Sequence, residues 1–340
     1  MEYIGFDYHK QYSFATSINS ESGLIRTVKL ANTPEAMDSF IKNPESTHAV
    51  LESSRTWSAL YELLRNRVSS IKLAHPLRVK AIASARIKTD KIDSRILAEL
   101  LSHDLIPEAH IRVGENREKQ SVLRQRAFFV ATRTRVKNRI HVLVDHQPYQ
   151  IRKIVINLTD LFGKAGMDWL RNVKELSKND RILLDQMLEL LDNLNSLIEK
   201  TNKMIKEFFN NDNNAQLLET ISGIGKFLAV LISTEIDDIE RFTSAKKLAS
   251  YTGLVPSTYA SANITRHGRI IKQGNKWLRW AFVEAAKSAK KYNAQFNDYF
   301  NQISKRKGIN SATVALSRRI VTIAFSILHY QRPFEIYKTS

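Results

Sequence analysis

The chain has 340 residues, 43% of them hydrophobic, and carries 52 Lys plus Arg against 34 Asp plus Glu, a formal net charge of +18. That length gives two or three domains with real cores, and the surplus of cations favours a polyanionic partner, because each Lys or Arg on a phosphate releases a condensed counterion. Cysteine is absent, which excludes a disulfide framework, a thiolate zinc site and a cysteine nucleophile.

The amino terminus, MEYIGFDYHK, lacks the basic and long apolar segments of a secretory signal, and no run of about 18 apolar residues stands out. A cytoplasmic, nucleoid-associated protein with no membrane partner is the expectation. From residue 1 to about 105, strands are predicted at Tyr3–Asp7, Ser13–Ile18, Leu24–Leu30, His48–Glu52 and Ser70–Ala74. Helices are predicted from Thr33 to Lys42, Trp57 to Arg67, Pro76 to Ala85 and about Ile92 to Ser102. Three strands in series followed by alternating helix and strand predict an α/β fold, a mixed sheet covered by helices in the order of an RNase H-like domain.

The stretch 106–214 reads as nearly all helical. Between Arg112 and Lys153 lie eleven Lys or Arg and three acids. Arg124, Arg126, Arg133, Arg135, Lys137 and Arg139 could line a phosphate backbone from one long helix, or form its solvated face. Met187, Leu191, Leu194, Ile198, Thr201, Ile205 and Phe208 alternate steps of four and three, a heptad seam with Thr201 its weak layer. It suits either an intramolecular hairpin against the basic helix or a dimerisation coiled coil. NNDNN at 210–214 reads as a loop closing the region.

The stretch 215–340 reads as mostly helical. It opens with ETISGIGKFLAVLISTEI, whose Gly-x-Gly turn resembles a helix-hairpin-helix element that meets phosphate; a turn chosen for tight helix packing would look the same. YTGLVPSTYASANITRHGRIIKQGNKWLRWAFVEAA follows, with Arg266, Arg269, Lys272, Lys276 and Arg279 and no acid among them. Gly253, Pro256, Gly268 and Gly274 divide it into loops before a helix near Lys276. Such basic, glycine-rich loops can approach phosphate closely.

Four acids carry the chemistry. Asp7 and Glu52 end apolar strands, where an acid has little structural purpose, and Asp90 and Asp93 share one face at a helix start. Carboxylates so placed can converge on a hard divalent cation, although Asp90 also suits a helix cap.

An amino-terminal GxDxxK, the internal Glu, KTDKxD, and a carboxy-terminal SGIGxxxA, YxGLVPS and RHGxIxKxGNxxLR in this order resemble the DEDD transposases of insertion sequences, also described as bridge-RNA-guided recombinases. The resemblance implies that Asp7, Glu52, Asp90 and Asp93 bind Mg²⁺ in an RNase H-like catalytic domain. It further implies a carboxy-terminal serine nucleophile, best aligned with Ser261 in TYASAN. Relatives carry Ser-Gly there, whereas Ala262 follows Ser261 in this chain, and Ser257 is the nearest competitor. His267 could act as its base, with Arg266, Arg269 or Lys272 stabilising the phosphate. DNA, a structured noncoding guide RNA and a homo-oligomer, dimer or tetramer, are the partners the family implies. A metal-dependent junction nuclease without a covalent step and a decayed nucleic-acid-binding protein are the competing classes.

Overall fold

The structure, a computed structural model, describes residues 1–83, 89–112, 114–261 and 264–335, except for the side chains of 258–261 and 264–267. The chain divides into two compact units, Met1–Arg112 and Val113–Ser340.

The first unit runs β1 (Glu2–Tyr8), β2 (Tyr12–Asn19), β3 (Ile25–Ala31), α1 (Pro34–Phe40), β4 (Thr47–Glu52), α2 (Trp57–Leu64), β5 (Ser70–Ala74), α3 (Pro76–Ile82) and α4 (Asp90–Ser102). Its five-stranded sheet has the order β3-β2-β1-β4-β5. The first three strands pair antiparallel, and β4 and β5 extend the sheet parallel to β1. This is the mixed, RNase H-like arrangement that the strand order predicts.

Period-two alternation sorts the side chains between two faces. Ile4, Phe6, Ala49, Leu51 and Leu73 point into one core with Met37, Phe40, Leu60 and Leu64 of α1 and α2. Val50 and Ala74 point the other way, against Leu97, Leu100 and Leu101 of α4. Each fully buried Leu or Phe contributes about 1.5–3 kcal/mol, so a one-residue slip of β1 or β4 is strongly disfavoured. Thr33 caps α1 by accepting from the Ala36 N–H, and Pro34 pre-sets its first turn.

The second unit runs α5 (Glu115–Asp145), α6 (Tyr149–Ile156), α7 (Lys164–Asn172), α8 (Lys178–Asn210), α9 (Asn213–Glu219), α10 (Lys226–Ile236), α11 (Ala245–Thr252), β6 (Pro256–Ser261), β7 (Ile264–Ile270), α12 (Lys276–Tyr292) and α13 (Ala294–Tyr330). α5 and α8 form an antiparallel hairpin: Arg126 donates to Asn202, Arg133 to Asn195 and Gln147 to Asp180. The heptad seam therefore packs within the chain, and its ends differ from the sequence expectation. Leu184, Leu188 and Phe209 are buried, while Met187 and Phe208 are only partly covered. Both 187 and 188, and both 208 and 209, are apolar, so spacing alone could not say which stripe faces α5.

Asn211 and Asp212 separate α8 from α9, with Asp212 capping α9 through the Ala215 N–H. Both helices share one core with α10, α12 and α13. The turn at Gly223 has φ +95°, and a Cβ there would lie 2.5 Å from the Ala285 carbonyl oxygen. Its glycine thus serves close packing on α12. The stretch expected as loops is instead a β-hairpin, β6 on β7; its glycines and cations masked the β-branched Thr258, Ile264, Thr265 and Ile270. By length and composition α13 could cross a membrane, a feature the sequence reading passed over. Its Ala312, Leu316, Ile320, Val321 and Ala324 are fully buried in the protein core.

Candidate active site

Phe6 pairs with Leu51 on the neighbouring parallel strand, so Asp7 and Glu52 are the next residues along β1 and β4, on the sheet face covered by α4. α4 reaches that face because Gly5 has no side chain. A Cβ at position 5 would stand 2.2 Å from the Ser94 carbonyl oxygen and 2.5 Å from the Ala98 nitrogen. The helix is pinned in register by a hydrogen bond of 2.8 Å between the buried hydroxyls of Thr16, which pairs with Gly5, and Ser94. Thr89 caps α4 by accepting from the Ile92 N–H. The capping role considered for Asp90 belongs to Thr89, and Asp90 and Asp93 both occupy the first turn.

Asp7, His9 and Asp90 bring one ligand atom each within 4.8 Å of one another. The His9 Nε2 lies 3.4 Å from an Asp7 carboxylate oxygen and 3.1 Å from one of Asp90, and its ring packs on Tyr12. Burial raises the Asp7 carboxyl above the usual carboxylate range; His9 opposes that shift, and the charges of Asp90 and Asp93 add to it. Asp93 is therefore close enough to be felt at Asp7. A partly buried carboxylate whose charge two neighbouring acids oppose is a place where a cation is favoured. His9 went unnoticed in the sequence, yet the D-x-H spacing at a strand end was a usable signal, because residues two apart share a face.

The carboxy-terminal residues lie in the other unit. Ser261 ends β6, where its backbone pairs with Ile264; its side chain and those of Arg266 and His267 fall outside the described residues, as does Ala262. Ser257 is described: its hydroxyl lies against Gly268 across the hairpin, 2.4 Å from where a Cβ would stand.

Several of the candidate phosphate-binding cations hold the unit together. Arg124 donates at 3.0 Å to the fully buried Glu235, which also accepts from Gln120 and Asn275. Arg126 lies over Phe227 and Lys137 over Phe162. Arg279 donates to the Thr252 and Lys272 carbonyls. Arg135, Arg139, Arg269, Lys272 and Lys276 remain exposed.

Residues 4–147 match the DEDD transposase family profile of the IS110 type, and residues 215–301 match the transposase IS116/IS110/IS902 family. The chain belongs to the DEDD transposases of insertion sequences. Among its relatives are the transposase for insertion sequence element IS1111A of Coxiella burnetii, 23% identical over 77% of this chain and 72% of that one, and the transposase for insertion sequence element IS1328 of Yersinia enterocolitica, 24% identical over 76% of each. A pilin gene-inverting protein of Moraxella bovis is 25% identical over 86% of this chain and 83% of its own length.

As a DEDD transposase the chain is a DNA-acting enzyme whose amino-terminal domain implies a divalent-metal requirement. The site fits one: Asp7 and Asp90 converge, Asp93 is electrostatically coupled to Asp7, and Glu52 follows on the adjacent strand, all hard oxygen donors. Two motif residues of the carboxy-terminal domain turn out to be architectural. Asn275 caps α12 through the Trp277 and Leu278 N–H groups while donating to Glu235. Gly274, at φ +142°, lets its backbone close on the Tyr251 carbonyl, 2.5 Å from a would-be Cβ.

Proposed function

We propose that this transposase excises and inserts a mobile element by cleaving and rejoining DNA, with Mg²⁺ held by Asp7, Glu52, Asp90 and Asp93. The convergence of Asp7, near the end of the central strand β1, and Asp90, in the first turn of α4, with Asp93 repelling Asp7, carries this reading. A bound divalent cation would neutralise charge on the scissile phosphate and orient an in-line attack. Ser261 is the nucleophile: its oxygen forms a bond to phosphorus as the bond to the departing deoxyribose oxygen breaks, and that oxygen takes up a proton. His267 accepts the serine proton, and Arg266, the cation nearest the tip on β7, balances the phosphate charge. The energy of the broken phosphodiester stays in the phosphoserine link, so rejoining needs no ATP.

A structured noncoding RNA supplies targeting, consistent with a net charge of +18. The Moraxella relative's name extends the reaction class to DNA inversion. A homo-oligomer is supported by α8, where Leu183, Leu190, Leu197 and Met204 recur every seven residues and stay 39–50% exposed, an apolar stripe apart from the seam used against α5.

Denaturing gels of labelled element-junction DNA incubated with Mg²⁺, the co-expressed RNA and protein test the chemistry. A DNA-linked protein band present in wild type and lost in Ser261→Ala and in Asp93→Ala supports it. Loss in Ser257→Ala alone would move the nucleophile to Ser257. Cleaved DNA with no linked protein would make the enzyme a water-using junction nuclease.

A further inference from the structure

A groove of about 1110 Å³ opens in the second unit between the base of the β6–β7 hairpin and α13. Both of its sides carry cations. The hairpin side brings Arg269 and Lys272, and α13 brings Arg306, Lys307, Arg318 and Arg319. Among the described residues no Asp or Glu lines it, and all six cations are exposed. Arg319 lies over the Tyr299 ring, 4.7 Å from its centroid. The floor is different in kind, with Ile270, Ile303 and Val314 partly exposed and Leu254 buried among the lining residues. The kink at Gly308, φ 79° and ψ 166°, falls directly after Arg306 and Lys307; only glycine adopts that conformation readily.

We infer that this groove binds a single nucleic-acid strand, a role that rests on the transposase reading above and adds a site to it. Six cations lining one groove select a polyanion. An apolar floor beside an aromatic ring further distinguishes a single strand from a duplex. A duplex offers a basic wall its backbone and base edges but keeps its base faces stacked inside, whereas an unpaired strand also turns base faces towards apolar and aromatic side chains, each stacked base contributing about 1–3 kcal/mol. The two arginine-bearing pairs, Arg306 with Lys307 and Arg318 with Arg319, stand on opposite sides of the Gly308 kink and both line the groove, so a strand there meets more than one phosphate site. Pro256 pairs with Ile270 at the groove end of the hairpin and Ser261 with Ile264 at its tip. At ~3.3 Å per residue the tip is about 17 Å away, so a strand in the groove lies within a few nucleotides of the hairpin tip.

Fluorescence anisotropy on the full-length protein in EDTA tests this, using a labelled 12-nucleotide DNA strand, the same sequence as RNA, and the DNA duplex. The double variant Arg306→Gln/Arg318→Gln is compared with wild type and with Asp93→Asn, and melting curves establish that each is folded. The groove predicts at least a tenfold rise in the strand's Kd for the double variant. It also predicts a salt slope smaller by about 1.4, two phosphate contacts at ~0.7 each, and less than a threefold change for the duplex. Whichever of DNA or RNA binds wild type more tightly identifies the strand. Unchanged strand binding, or equal loss for strand and duplex, overturns the inference. Asp93→Asn separates the two readings: it keeps wild-type strand binding if the groove is right, even where cleavage fails for reasons of the acid site.

Discussion

Gly5→Ala is the smallest change that should disable the acid site without touching an acid. The new Cβ would stand 2.2 Å from the Ser94 carbonyl oxygen and 2.5 Å from the Ala98 nitrogen, both backbone atoms that no rotamer change can remove. Carbon and oxygen normally approach to about 3.3 Å, so α4 must retreat from β1 by about 1 Å. Overpacking of this kind costs about 1–3 kcal/mol, and a domain near this size loses roughly 4–8 °C of melting temperature per kcal/mol. Asp90 and Asp93 ride on the first turn of the displaced helix, away from Asp7 on β1. A misplacement of about 1 Å can lower a rate on the order of 100-fold. The assay is Mg²⁺-dependent cleavage of element-junction DNA, run beside circular dichroism to verify the fold. A folded Gly5→Ala variant that cleaves within about twofold of wild type would refute the argument that α4 must touch the sheet here.

Asp7→Asn tests the electrostatics. Burial, with Asp90 and Asp93 adding, lifts the folded-state pKa of Asp7 above its ordinary value, so its stabilising contribution is present at acid pH and is lost as pH rises through that raised value. In EDTA at neutral pH the variant should melt at or above wild type, while the stabilisation by cation at 100 times its Kd, about 2.7 kcal/mol in wild type, should vanish. Arg124→Ala should destabilise the second unit by about 1 kcal/mol, because the fully buried Glu235 loses a charged donor while Gln120 and Asn275 remain; a variant that melts like wild type in urea would contradict that. Asn275→Ala removes the α12 cap and a donor to Glu235 and should cost at least about 1 kcal/mol by the same measurement. Replacing Leu190 and Leu197 by Gln should shift the protein to smaller species in sedimentation velocity, and an unchanged profile would remove α8 from the oligomer interface.

The sheet was legible because its strands alternate or run apolar between turns: all five, β1 to β5, fall within one or two residues of expectation. α4 begins at Asp90 rather than near Ile92, since Thr89 supplies the cap. Asp7, Glu52, Asp90 and Asp93 stood out because acids at strand ends and helix starts break an otherwise apolar or basic pattern. What pattern reading missed depends on partners distant in sequence. Gly5 matters only because Ser94 and Ala98 lie above it. Arg124 looked like a phosphate ligand because its partner Glu235 is 111 residues away. The hairpin β6–β7 was obscured by glycines and cations that usually mark loops, and α8 carries two neighbouring apolar stripes whose assignment required the position of α5.

The claim on which the rest depends is that Asp7, Glu52, Asp90 and Asp93 form one divalent-cation site. Electron paramagnetic resonance of Mn²⁺ titrated into the full-length protein measures it directly, with Asp7→Asn and Asp93→Asn alongside. Saturable Mn²⁺ binding that Mg²⁺ displaces, weakened at least tenfold in both variants, is the predicted result. Equal Mn²⁺ affinity in wild type and both variants would contradict the account.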